Sequence, residues 1–418
     1  MVAERLYDRA YTARLGNGLR ILIDENPQSR SVSIGAWIAV GSRDDSPTSP
    51  GLAHFIEHLA FKGTATRDAA EISRAIDSVG GNLNAATGRE STVFYAEVPA
   101  DGMSTALDLL ADLVLHPAFA SEKIDLERTV VLDEIRSHQD DPESVAFDRF
   151  IAAVWGGDHP LSRSVLGTKQ GIESVSESSI RAYHQRNYGP TRMVLAAAGA
   201  VDAETVISQV RARFGVGATE QEEAGAERVA PRFRSERRHH QRTTGQTHIY
   251  LALPGPATGD PDRYTLEVVN VLLGDGTSSR LFRAVREDRG LAYSVGSSVM
   301  RYTDGGLWML YAGTSPKLAV QVRDLLEREL VSLREQAPDE EEIALAKARL
   351  RGLFILGMES NANRAMRLGT AAISGRKIHA PDQVLAKLEA VSPSDVKAVI
   401  ERFLQLEQLH VTTVGPDL

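Results

Sequence analysis

The stretch that decides the reading is Gly51-Leu52-Ala53-His54-Phe55-Ile56-Glu57-His58-Leu59-Ala60-Phe61-Lys62-Gly63-Thr64. It contains His-x-x-Glu-His. Its flanks predict a helix with Ser49 as N-cap, Pro50 at the first helical position and Gly63 beyond the end. Positions i and i+4 of a helix stand one above the other, so His54 and His58 project from one face with Glu57 beside them. Leu52, Phe55, Ile56 and Leu59 cover the remaining sides and predict a buried helix. Two neutral imidazoles and a carboxylate in apolar surroundings suit a catalytic Zn2+, which needs ligands, an adjacent base and exclusion of bulk water. Paired helical histidines also occur as plain packing, so the residues around the motif have to carry the case.

Two histidines leave Zn2+ short of a third protein ligand. The strongest candidate lies on a predicted helix over 121–135. There Glu127 and Glu134 are seven apart, hence two turns apart on one face. Carboxylates between apolar Val130, Val131 and Ile135 are odd on a core-packing helix. They make sense if one binds a metal and the other orients a histidine. On spacing alone, ordinary helix acids facing water are the favoured reading, and His138 and Asp133 stay open as rival ligands.

Composition narrows the class. The 418 residues suffice for two or more domains with substantial cores, and 42% hydrophobic with 25% charged residues is ordinary globular usage. Asp and Glu outnumber Lys and Arg by 56 to 47, a net charge of −9 that argues against a nucleic-acid role. There is no cysteine, so disulfides and thiolate metal sites are excluded and any metal must be held by His and carboxylates. The N-terminus lacks an apolar segment of signal type, and the longest apolar run, 193–201, is too short to span a bilayer. No membrane association and a cytoplasmic location are the expectation.

Along the chain, 20–23 and 31–40 read as strands. A helix over 69–79 closed by Gly80-Gly81 comes next, then a strand over 92–98. Helices are predicted over 103–115, 121–138, 142–154 and 203–214, with a strand over 193–198. Residues 215–242 change character, acidic at Glu220-Gln221-Glu222-Glu223 and basic over 232–242, and read as a solvated linker in preference to an anion site. The second half then repeats the programme. Strands are predicted over 248–253, 293–300, 307–312 and 409–414, and helices over 263–273, 317–334, 338–358, 361–372 and 392–404. At an offset of about 214, Val268 and Leu272 fall where His54 and His58 stand. A duplicated domain is expected, with ligands only in the first copy. The expected domains are 1–214, a linker over 215–242, and 243–418.

The inverted zinc motif followed by Glu127 and Glu134 resembles the pitrilysin and mitochondrial-processing-peptidase family of zinc metallopeptidases. The match extends through Asn82-Leu83-Asn84-Ala85, Tyr95, Asp133-Glu134-Ile135, His159-Pro160 and Leu166-Gly167-Thr168. It continues through Ser278-Ser279-Arg280-Leu281, Gly290-Leu291-Ala292-Tyr293-Ser294-Val295, and Ala346-Lys347 with Glu359. The resemblance implies an α+β fold of two homologous repeats, of the processing-peptidase or LuxS-like metallohydrolase type. It implies one Zn2+ per chain held by His54, His58 and Glu134, with Glu57 as general base on a zinc-bound water and Glu127 orienting a histidine. It further implies that Asn84 and Ala85 lie on an edge strand pairing with extended substrate, and that Arg286 and Tyr293 complete the site from across a closed chamber. Gly274-Asp275-Gly276-Thr277 is short, unlike the long glycine-rich loop of the family's non-catalytic subunits.

The activity implied by the resemblance is that of a metalloendopeptidase acting on peptides or unfolded polypeptide, as a homodimer whose sites are shared between subunits. A non-catalytic scaffold homologue and a zinc hydrolase of another amide are the alternatives.

Overall fold

The computed structural model describes residues 3–215 and 228–417. Its described residues fall into two compact units, one drawn from 1–137, 164–228 and 356–380, the other from 138–163, 229–355 and 381–418.

The first unit is built on a seven-stranded sheet of β1 (Glu4–Tyr7), β2 (Ala10–Arg14), β3 (Arg20–Glu25), β4 (Ser31–Ile38), β5 (Asn82–Thr87), β6 (Thr92–Pro99) and β7 (Met193–Gly199). Their order across the sheet is β1-β2-β3-β7-β4-β6-β5, with only β3 and β7 parallel. The second unit has β8 (Arg237–Gln241), β9 (Thr247–Gly255), β10 (Ser294–Tyr302), β11 (Gly305–Thr314) and β12 (His410–Gly415). Their order is β10-β11-β9-β12-β8, with only β8 and β12 parallel. Read from the other edge, this repeats β3-β7-β4-β6-β5 strand for strand and in the same chain order. The expected duplication is therefore written in the hydrogen bonding of the two sheets.

Side chains alternate across a strand, and the central strands of both sheets are buried on both faces. On β4, Val32, Ile34, Ala36 and Ile38 enter a core shared with the helices Leu52–Ala60, Met103–Leu115 and Ala203–Phe214. Trp37 points the other way, into a smaller core with Ala365, Leu368 and Ala372 of the helix Asn361–Ile373. On β9, Ile249, Leu251 and Leu253 meet the helices Arg263–Gly274, Ala319–Glu335 and Pro393–Phe403. Tyr250 and Ala252 meet Ala146, Phe150 and Val154 of Pro142–Trp155.

These second faces explain where the structure departs from the sequence boundaries. The helix over each second face comes from the other half of the chain, so 138–163 lies in the second unit and 356–380 in the first, across the expected division into 1–214 and 243–418. The expected linker over 215–242 also changes. Residues 216–227 lie outside the described residues, whereas Arg237–Gln241 forms β8. Five basic or polar side chains carry no apolar pattern, yet backbone pairing with β12 needs none. Among the described residues no helix is long and apolar enough to cross a membrane.

Candidate metal centre

The helix Leu52–Ala60 begins two residues later than the spacing predicts. Its N-cap is Gly51, in the left-handed region at φ 96°, and not Ser49. A β-carbon there would lie 2.5 Å from the Leu166 carbonyl oxygen, so glycine is required both by conformation and by contact. The cap is supplied from a distance. The buried Asp45 carboxylate accepts from the Gly51 N–H at 2.8 Å and the Ala53 N–H at 3.0 Å, and the Tyr183 hydroxyl donates to it at 3.1 Å. A carboxylate at a helix N-terminus satisfies otherwise orphaned N–H groups and meets the positive end of the dipole.

One turn on, His54 and His58 stand with ring centroids 4.5 Å apart. The helix Ser121–Asp140 brings Glu134 to both: its Oε2 is 3.8 Å from His54 Nε2 and 3.5 Å from His58 Nε2. The ligand atoms of the three residues lie within 4.8 Å of one another. From the same helix, Glu127 Oε1 is 2.8 Å from His58 Nδ1. A carboxylate only accepts, so Nδ1 carries the hydrogen and the Nε2 lone pair is turned towards Glu134. Burial, with His58 beside it, pushes His54 down to about 4. Burial also works to lower His58, but hydrogen bonding to Glu127 and the charges of Glu134, Glu127 and Glu57 outweigh it and raise the group.

The donor set fits a zinc ion. Among the described residues, Glu134 Oε2, the oxygen that faces both imidazoles, is a buried side-chain atom without a hydrogen-bond partner. At 3.5 and 3.8 Å the nitrogen–oxygen separations are too long for hydrogen bonds and near the ~3.4 Å edge of a tetrahedron with bonds of about 2.1 Å. The rival ligands lie elsewhere. His138 Nε2 pairs with Asp148 at 2.8 Å in the second unit, and Asp133, 60% exposed, pairs with Arg136.

Glu57 stands between the two histidines in sequence, and its Oε2 accepts from the Thr87 hydroxyl at the end of β5. Burial raises its carboxyl above the usual range, against the lowering effect of Thr87. Asn84 and Ala85 lie on β5, the last strand of its sheet, where Asn84 Oδ1 accepts from the Ala85 N–H at 2.8 Å.

Arg286 and Tyr293 are brought together in the second unit. Arg286 sits on the π-helix Phe282–Glu287, donates to the Tyr293 carbonyl at 2.9 Å, and lies 4.7 Å from the centre of the Tyr293 ring. Tyr293 is 77% exposed. At the positions set against His54 and His58, Val268 and Leu272 are buried in the helix Arg263–Gly274. Sequence reasoning missed Thr87, Asp45 and Tyr183, whose partners are distant in the chain. It also missed Lys62, which pairs with Glu127 at 2.9 Å and whose signal was available as the i+4 neighbour of His58.

A duplicated α+β chain carrying an inverted zinc motif on its first repeat is the build of the pitrilysin-type peptidase class. Residues 20–169 match the model of the insulinase family, peptidase family M16, and residues 174–350 match the peptidase M16 inactive domain. The chain belongs to peptidase family M16. It is 39% identical over 409 residues to an uncharacterized zinc protease of Mycobacterium tuberculosis, covering 96% of this chain and 92% of that one. It is 34% identical over 408 residues to the uncharacterized zinc protease YmxG of Bacillus subtilis, covering 98% of each. A crystal structure of a peptidase M16 inactive domain from Pseudomonas fluorescens matches with a TM-score of 0.90 at 22% identity, over 98% of each chain. A protease from Helicobacter pylori matches at 0.91 and 21%, over 97% of this chain and 99% of its own. At those identities the structures show the fold alone, which is the expected one.

Proposed function

We propose that this chain is a zinc-dependent metalloendopeptidase that hydrolyses peptides or unfolded polypeptide segments. The observation that carries the reading is the convergence of His54 Nε2, His58 Nε2 and Glu134 Oε2 from two helices, with Glu127 fixing the His58 tautomer and Glu57 alongside.

His54, His58 and Glu134 would hold Zn2+, which when bound acidifies water and polarises a carbonyl. Glu57 acts as the general base: its carboxylate accepts the proton of the attacking water and returns one to the leaving amine nitrogen. The Thr87 hydroxyl donates to Glu57 Oε2, which leaves Oε1 the less engaged oxygen for the proton. As the last strand of its sheet, β5 would offer backbone N–H and C=O groups to an extended chain once Asn84 Oδ1 gives up the Ala85 N–H, which favours unfolded over folded substrates. Tyr293 offers a phenolic donor for the oxyanion, and Arg286 holds the residue through its backbone and ring.

We further propose a homodimer in which Arg286 and Tyr293 of one subunit serve the metal centre of the other, twice. The deciding experiment is cleavage of a quenched fluorescent peptide by purified protein, with and without chelator. Chelator-sensitive cleavage supports the reading. No cleavage by the zinc-loaded protein overturns it and favours a non-catalytic scaffold.

A further inference from the structure

Lys62 lies in the turn after the metal-site helix, four residues beyond His58, where its own N–H donates to the Leu59 carbonyl at 3.0 Å. Its Nζ is 2.9 Å from Glu127 Oε2, while the other oxygen of that carboxylate, Oε1, is 2.8 Å from His58 Nδ1. The two oxygens of Glu127 are thus pinned by different partners, and the carboxylate plane is held at both ends. Glu127 is 3% exposed, whereas Lys62 is 36% exposed. The buried member of the pair therefore depends on the half-exposed one.

His58 takes one oxygen of Glu127, Oε1, and leaves Oε2 to Lys62. A buried carboxylate without a cation is costly. Lys62 is the ammonium that lies against it. Arg128, next to Glu127 in sequence, is engaged instead with the carbonyls of Ile172 and Val175.

We propose that Lys62 is a positioning residue for the metal centre, which holds Glu127 in the rotamer that orients the His58 ring towards Glu134. The proposal rests on the metal reading of the preceding section, and its test separates the two. Zinc affinity is measured by competition with a chromophoric chelator, and ligand geometry by the visible absorption of the cobalt-substituted protein. The chains compared are wild type, Lys62→Met, Lys62→Arg, Glu127→Gln and the double variant Lys62→Met/Glu127→Gln.

Partners that orient a metal-bound histidine typically contribute 10–100-fold in affinity, and Lys62 acts one step further out. Lys62→Met should therefore bind zinc about 10-fold more weakly and shift the cobalt bands. Lys62→Arg keeps the charge and should stay within about threefold of wild type. In the Glu127→Gln background, Lys62→Met should change nothing, since the group it acts through is gone. Lys62→Gln carries the same test should Lys62→Met not fold. Wild-type affinity and spectrum in Lys62→Met, or an equal loss in both backgrounds, overturns the positioning role. A wild-type chain that binds no zinc overturns the metal reading itself.

Discussion

Gly369→Ala is expected to destabilise the first unit by about 2 kcal/mol, although glycine is a poor helix former. Gly369 lies inside the helix Asn361–Ile373, and an added β-carbon would sit 2.3, 2.4 and 2.5 Å from three atoms of the Trp37 indole. Ordinary contacts begin near 3.4 Å, so the ring would have to retreat by about 1 Å in a core packed as densely as a crystal. It has nowhere to go. On its own strand the same indole lies against Gly35, whose added β-carbon would be 2.9 Å from it. Overpacking costs typically 1–3 kcal/mol, and a clash this close belongs at the upper end. The alanine regains about 1 kcal/mol of helix propensity, leaving roughly 2 kcal/mol lost, or about 4–8 °C in Tm. Gly352 is the control. It lies inside the helix Glu340–Met358, and an added β-carbon meets nothing within 4 Å. Gly352→Ala should raise stability by about 0.5–1 kcal/mol. Thermal and denaturant unfolding of the two variants measures both signs. A Gly369→Ala protein as stable as wild type would refute the packing argument, and a less stable Gly352→Ala protein would refute the propensity argument.

Glu57→Gln should keep about one zinc per chain and lose about 10²–10⁴ in kcat, because an amide cannot accept the proton. Glu134→Gln should instead lose metal, and atomic emission that finds zinc in Glu134→Gln but not in Glu57→Gln would reverse the roles. The His184 ring donates through Nε2 to the Val114 carbonyl at 2.8 Å and stacks on Tyr188. Burial, with a smaller contribution from His116, lowers its pKa against the raising effect of that hydrogen bond. A histidine held neutral by the fold adds stability above the unfolded value of about 6.5 that is lost as pH falls below it. Unfolding free energy of the metal-free His184→Gln protein should therefore fall less steeply than wild type as pH drops below about 6.5, and parallel curves would contradict this. Mixing Glu57→Gln with the combined Tyr293→Phe/Arg286→Ala variant tests the shared site. Random re-pairing should restore about a quarter of wild-type activity, and no recovery in confirmed mixed dimers excludes it.

Local periodicity was enough to read much of this molecule. The i, i+4 spacing of His54 and His58 and the apolar residues round them mark a buried helix wherever they occur. The two runs of strand and helix signals already carry the duplication, because each repeat needs the same alternation to cover the same sheet. Side-chain pattern says which face of an element is apolar, however, and not what will cover it. Only packing decided that the second face of one sheet takes Pro142–Trp155 and that of the other takes Asn361–Ile373. Backbone hydrogen bonds are likewise blind to side-chain polarity, so β8 hides in a basic stretch that has no strand pattern. At the site, spacing favoured the pair Glu127 and Glu134 without choosing between them, and left Asp133 and His138 open as rivals. The rotation of one helix against another turned Glu134 Oε2 to both imidazoles, left Asp133 exposed to Arg136, and carried His138 to Asp148. Tyr183, Thr87 and Lys62 reach Asp45, Glu57 and Glu127 by the same route, since a contact across 30 to 138 positions is fixed by where the elements dock and by nothing in the intervening residues.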